Sequence, residues 1–306
     1  MAKYVIKRLL IGVVTLFVLA TITFFLMHAI PGSPFTGEVS KLPSSVRQTL
    51  IDYYGFDQPI HVQYVKYLRN VIHGDFGMSL SHNGRSVTDI IKLGVANSAA
   101  LGAVAFLIAI VVGVALGSVA AFTKKRWVKN VVALIATFGA SVPSFLLALL
   151  MMMLFGVMLR WLPIVGLSSW RHYILPGFAL ALAPIAMISR LTRTSLVEAM
   201  KQDYMVLAKS KGTSQRMIFL RHALKNAIIP VVTYAGPLLA TLLTGSFVIE
   251  TLFSVPGIGA EFVTSVSNRD YTMIMALTIY YGAFIILCNI VTDLITAVLD
   301  PRIRLK

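Results

Sequence analysis

An all-α integral membrane protein with about six transmembrane helices is the fold class the sequence predicts, on three observations. Hydrophobic residues make up 57% of the chain and charged residues only 13%, against roughly 45–50% and 25% in a soluble domain. Apolar runs of about 20 residues, the length needed to cross the hydrocarbon core, recur along the sequence. The apolar–polar alternation of an outer-membrane barrel strand is missing. Because backbone groups in lipid must be satisfied within their own segment, each run is read as a helix.

The runs lie near 9–30, 96–122, 130–156, 173–193, 227–252 and 273–298. Lys3, Lys7 and Arg8 ahead of the first imitate a signal peptide, but a signal core holds about 7–15 apolar residues. The first run is longer and is read as a retained span. Pro176 and Pro184 are expected to weaken or kink the fourth span, and Pro230 and Pro237 the fifth. Cys288, the single cysteine, lies inside the sixth run and offers no intrachain disulfide or cysteine metal site.

The formal charge of +15 would suggest nucleic acid in a soluble chain. Six spans put both ends of the chain on one side, and the charge distribution selects that side. Segments 1–8, 123–129, 190–226 and 299–306 carry 18 of the 27 Lys and Arg; the longer alternate segments 31–95, 157–172 and 254–272 carry nine. Basic residues concentrate on the cytoplasmic side, so both termini are expected to be cytoplasmic, and no nucleic-acid partner is implied.

The organisation is therefore a first helix over 1–30, an external helical segment over 31–95, a core over 96–300 and a tail over 301–306. In the external segment Ser44 can cap a turn carrying Val46, Leu50 and Ile51, with Gly55 as its stop. Pro59 can open a second helix with Val62, Val65, Leu68 and Ile72 on one face, ended by Gly74. Packing on the membrane domain and direct substrate contact are both open to it.

Within the core, the cytoplasmic loop over 194–226 reads as helix, glycine turn, helix. Ser195 and Glu198 have capping-box spacing; Leu196, Met200, Tyr204, Leu207 and Ala208 follow at near-helical spacing. Gly212 breaks the pattern, and Ser214 can cap the next helix. There is no G-x-x-x-x-G-K-[ST] phosphate loop and no H-E-x-x-H zinc motif. His61, His73 and His82 have no partner at ligand spacing, so no metal site is expected. Intramembrane charge, the marker of ion coupling, is confined to residues near span ends: Arg190, Glu250 and Asp293.

The run Glu198–Ala199–Met200, Asp203–Tyr204, Ala208–Lys209–Ser210–Lys211–Gly212, then Arg221 to Ala227 and Pro230, resembles the cytoplasmic "EAA" loop of ABC importer permeases. The likeness is greatest to the dipeptide and oligopeptide branch. Further matching motifs are Tyr4 to Arg8 with Pro31–Gly32, Tyr54 to Pro59 with Gln63–Tyr64, and Gly74 to Gly77. Val142 to Phe145, Phe253 to Gly259 and Asp300 to Arg304 continue the series, so the likeness covers nearly the whole chain. Two positions depart from the wider pattern: Lys225 stands where the loop often has proline, and Val206 where it has its first acidic residue.

The resemblance implies a type I ABC importer permease fold and the first permease subunit of an oligopeptide transporter, with dipeptides or nickel as alternative cargo. It implies a second homologous permease, two ATP-binding subunits, an extracytoplasmic substrate-binding protein, membrane lipid and a peptide substrate as partners. ATP and Mg would belong to the ATPases, leaving this chain without cofactor or catalytic residues, in the cytoplasmic membrane of a prokaryote. Asp203, Tyr204, Leu207, Ala208, Lys209, Lys211 and Gly212 would dock an ATPase, with Leu207 and Ala208 as a small apolar knob. Pro230, Gly236, Pro237, Glu250, Pro256 and Gly257 are candidates for the path or an external gate. Small residues such as Gly236 could equally serve helix packing. A self-sufficient ion-coupled transporter is a rival reading; a membrane-embedded enzyme is disfavoured because no paired catalytic constellation lies in the spans.

Overall fold

A computed structural model describes residues 2–29, 48, 51–82, 84–214 and 217–299; the side chains at 2–3, 209, 220–222 and 296–299 lie outside that description. Ser44, Val46 and Leu50 of the first external turn, and the tail over 301–306, also lie outside it. Among the described residues the regular structure is helical, with one isolated antiparallel bridge between Met78 and Ser86.

Helix α1 spans Ala2–Ala29 and α2 Ile60–Ile72; α3 covers Val87–Phe122, α4 Arg126–Ser141 and α5 Ser144–Met151. Then come α6 (Ile174–Ala199), α7 (Asp203–Ser210), α8 (Leu224–Ala227) and α9 (Ile229–Leu243). Helices α10 (Phe247–Leu252), α11 (Ile258–Asn268) and α12 (Tyr271–Leu299) complete the described chain. Five of the helical segments are long and apolar enough to cross a membrane: α1, α3, α6, α8 with α9, and α12.

The sixth expected span is not one straight helix. Between α4 and the α5 segment, which continues in wide π geometry over Met152–Met158, the axis turns by 109°. Pro143 explains the break. It has no N–H to donate, and its ring forces Val142 into extended backbone at φ −87°, ψ 130°.

The fifth span differs too: the expected helix over 227–252 stops at Leu243 and resumes as α10 after Gly245, whose φ is +85°. Helix α3 begins at Val87, well before the expected 96, and α6 runs on to Ala199. Ser195 and Glu198 therefore sit inside α6, and the expected capping box does not form. At that depth in a helix the backbone N–H groups already have carbonyl partners.

The expected kinks also resolve. Pro176 lies in the first turn of α6 and Pro230 in the first turn of α9, where a missing N–H costs nothing. Pro184 and Pro237 are accommodated inside α6 and α9 without ending them.

Helices α3 and α6 form the most intimate pair. Gly113 and Gly117 of α3 bring its backbone against Ile188, Ser189 and Thr192 of α6. Lipid tails are as apolar as leucine, so helices gain by close dispersion contact, which small residues permit. Ala105, Ala109, Ala181, Ile185 and Ile188 join Val231 and Leu238 of α9 in one buried cluster. Helix α1 stands to one side and packs on α12, with Gly12 against Ile286. Asp293 of α12 accepts a hydrogen bond from Tyr4 Oη at 2.6 Å and pairs with Arg8 at 3.0 Å, fastening the start of α1 to the end of α12.

The segment over 51–82 keeps its expected boundaries, but of the apolar face expected on α2, Val65 and Ile72 are exposed, and packing runs through Tyr64 and Tyr67 instead. Pro59 precedes α2, and Gly55 and Gly74 end turns with positive φ. Tyr53 Oη donates to Asp75, and that bond together with burial pushes Tyr53 up to about 12. Phe24 of α1 meets Leu80, Tyr271 and Met275, so the segment packs on the membrane helices. Asp270 completes the junction by accepting from Ser81 N at 3.0 Å, Ser81 Oγ at 2.8 Å and Met273 N at 3.1 Å.

Candidate coupling loop and the buried Glu250 hairpin

The loop between α6 and α9 is built on a two-faced helix. A short turn at Met200–Gln202 separates α6 from α7. Met205 and Ala208 face inward and pack with Leu196, Ile218, Ala223 and Ala227. The opposite face carries Val206 and Leu207, 61% and 56% exposed, with Tyr204 and Asp203 also exposed beside them. Tyr204 Oη accepts from Asn226 Nδ2 at 3.0 Å, bracing the helix against the returning segment.

Gly212 closes the unit at φ +72°, left-handed backbone that favours glycine. Across it, Thr213 N donates to Ala208 O at 3.2 Å, satisfying a carbonyl the helix end would otherwise leave open. Ser214 Oγ accepts from Met217 N at 3.4 Å, the capping contact expected of it. The chain then passes through π geometry over Ile218–Ala223 into α8 and α9.

One expected docking residue needs correction. Ala208 is 7% exposed and forms part of the inner face, so the outward knob consists of Val206 and Leu207. Lys211 is exposed at the turn, and the Lys209 side chain lies outside the described residues.

At the other end of the core, α10 and α11 form a hairpin closed over Glu250. This carboxylate is fully buried. Its Oε1 accepts from Ser98 Oγ of α3 at 2.8 Å and from Ser246 N at 3.2 Å; its Oε2 accepts from Ala260 N at 3.0 Å. Ser98 Oγ in turn accepts from Ile258 N at 2.9 Å.

The hairpin's glycines make room for this cage. A Cβ on Gly257 would collide with both Glu250 Oε2 and Ser98 Oγ. Pro256 is exposed at the tip, its carbonyl held by Asn97 Nδ2 at 2.9 Å. Phe253 and Val255 anchor the hairpin among Leu101, Ala148 and Leu175.

The candidate path residues thus divide. Glu250, Pro256 and Gly257 come together in the hairpin; Pro230, Gly236 and Pro237 do not join them. Gly236 lies hard against Thr292 of α12, which is the close approach of packed helices. Ser98 was missed by sequence reading, as was Asp270. A serine inside an apolar span was the only local signal for the first; for the second it was an aspartate immediately ahead of a long apolar helix.

A bundle of helices long and apolar enough to cross a membrane, with one braced loop at one end and a pinned hairpin at the other, defines a polytopic membrane protein. Comparison with known proteins gives the family. Residues 113–305 match the family described as "Binding-protein-dependent transport system inner membrane component", and residues 1–86 match its N-terminal companion. The Bacillus subtilis protein named dipeptide transport system permease is 43% identical over 305 residues, covering 100% of this chain and 99% of that protein. The Escherichia coli K12 protein named oligopeptide transport system permease is 44% identical over 307 residues, covering 99% and 100%.

Among solved structures, an inward-facing form of the MetNI methionine ABC transporter superposes with TM-score 0.55 at 17% identity, covering 70% of this chain and 97% of that one. That likeness concerns the fold alone. The chain belongs to the binding-protein-dependent inner-membrane components, the permeases of ABC importers, and is a multi-pass protein of the prokaryotic cytoplasmic membrane.

Proposed function

We propose that this chain forms half of the translocation path of an ATP-driven peptide importer and takes its motion from a cytoplasmic ATPase through α7. The observation that carries the docking role is the outer face of that helix. Val206 and Leu207 are exposed on a short element whose inner face is already buried. Such a face gains by entering a partner's groove. The short α7, braced by Tyr204 and turned by Gly212, would pass groove motion to α6 and α9 as a two-state element.

Both named relatives are peptide permeases, one of dipeptides and one of oligopeptides, at nearly equal identity. Peptide is accordingly the substrate class, with length left to the delivering binding protein. The remaining partners would be a second homologous permease and two ATPase subunits that hold ATP and Mg. The loop side would be cytoplasmic, as the Lys and Arg distribution supports.

The test is ATP hydrolysis by the purified assembly. Peptide-loaded binding protein should stimulate it, and Gly212→Pro should uncouple hydrolysis from uptake, because proline cannot adopt the positive φ. Ion-driven uptake by this chain alone in vesicles would overturn the reading.

A further inference from the structure

Between α3, α4 and α6, at the end of the core that carries the loop, lies a cavity of about 120 Å³. Lys129 of α4 and Arg190 and Arg193 of α6 line it, together with the hydroxyl-bearing side chains of Thr137, Ser189 and Thr194. No carboxylate lines it, and among the described residues none pairs with these three cations. Three like charges converging on one small cavity repel one another unless an anion joins them. Nothing in the coupling role uses this charge.

We propose that this cavity binds the phosphate headgroup of an anionic phospholipid. The chemistry of the lining, two guanidinium groups, an ammonium and hydroxyls, suits phosphate oxygens. A lipid is favoured over a free phosphate by what adjoins the cations. Along α6, Ala183, Met187, Arg190 and Thr194 share one helical stripe by their spacing. Met187 and Ala183 are exposed, one and two turns deeper than Arg190 respectively. Headgroup-binding cations thus continue into an open apolar strip on which an acyl chain can lie. Basic pockets between transmembrane helices bind anionic headgroups by this arrangement. The inference needs only membrane embedding and is independent of the peptide reading.

The experiment uses the full chain in its assembly, reconstituted in nanodiscs of phosphatidylcholine with a minority of phosphatidylglycerol, and counts retained lipid by native mass spectrometry. The wild type should retain phosphatidylglycerol selectively. Each neutralisation among K129Q, R190Q and R193Q should lower retention about fivefold, from about 1 kcal/mol per basic residue. Lys7→Gln, an exposed basic residue of α1 outside the cavity, should leave retention unchanged. Thermal midpoints accompany each variant, and R193Q, at an exposed position, serves if another of the three does not fold.

Equal retention of both lipids by the wild type would overturn the proposal, as would unchanged selectivity in a folded variant. Displacement of the lipid by millimolar inorganic phosphate would assign the site to a soluble anion instead. Loss of subunit assembly with lipid selectivity intact would assign it to a protein carboxylate.

Discussion

The α7 loop and the Glu250 hairpin sit at opposite ends of the same helical core, and they solve opposite problems. In the hairpin every identified polar demand is met from within: Glu250 is buried and receives three donors, Ser98 Oγ, Ser246 N and Ala260 N. In the loop, one face of α7 is satisfied by Leu196 and Ile218, while Val206 and Leu207 face outward. A region that closes on itself is a fixed point of the fold. One that leaves apolar side chains exposed at a loop offers the face on which the proposed ATPase would dock. The difference separates residues whose loss harms folding from residues whose loss harms assembly.

Glu250→Leu should have the largest effect. It strips the acceptor from one hydroxyl and two backbone N–H groups at once, and each buried donor left unpaired costs about 1–3 kcal/mol. Relaxation offsets part of that, so a loss of about 3–5 kcal/mol is expected, read as a lowered thermal midpoint of the purified protein. Glu250→Gln keeps one acceptor oxygen and should lose less. A Glu250→Leu protein as stable as the wild type would mean that the hairpin is not pinned by this residue.

Gly257→Ala tests the same region with a single methyl. Its Cβ meets Glu250 and Ser98 together, so the cage must open or the hairpin must shift. Overpacking of this kind costs about 1–3 kcal/mol. The same thermal measurement checks it; a value within ~0.5 kcal/mol of wild type would show that the hairpin yields freely.

What the sequence made legible follows the range of the interactions. Apolar runs, the Pro59 start of α2 and the Gly212 turn depend on neighbours a few residues apart, and all were readable. The Ser98–Glu250 bond joins positions 152 residues apart and leaves no local mark. Ala208 was misplaced for a different reason. A helix read continuously from Ser195 carries its phase across Met200–Gln202, where the chain in fact turns; the restarted helix at Asp203 points Met205 and Ala208 inward. The capping-box motif failed because α6 had already begun at Ile174, far ahead of Ser195. The Val142–Pro143 bend went unread, since the apolar run over 130–156 passes through the proline unbroken; its 109° angle is set by how α5 packs on α6 and the hairpin.

On the loop side, Leu207→Asp should leave the chain's own stability within about 0.5 kcal/mol, because the side chain contributes no buried contact to the α7 cluster. Its effect should fall on association. Central apolar side chains of an interface typically cost more than 1 kcal/mol when lost. A roughly tenfold weaker hold on the ATPase subunits is therefore expected, measured by co-purification at graded subunit concentration. Full retention would move the docking face off this stripe. Ala208→Arg makes the complementary point: it lies on the inner face and should destabilise the loop itself rather than the contact alone.

The smallest expected effect is the most discriminating about how the loop transmits motion. Tyr204→Phe removes only the hydroxyl that accepts from Asn226, a bond worth about 0.5–1.5 kcal/mol. The ring and the exposed face remain, so ATPase binding should persist while the brace between α7 and the returning segment weakens. Amide hydrogen exchange over 203–210 should then quicken about fivefold, with global stability unchanged. If α7 acts as a rigid lever, this variant should also hydrolyse ATP with less uptake per turnover, since a looser helix moves without carrying α9. Unaltered coupling with faster exchange would show that the lever's stiffness comes from the Met205–Ala208 packing, and that the Tyr204 bond only orients it.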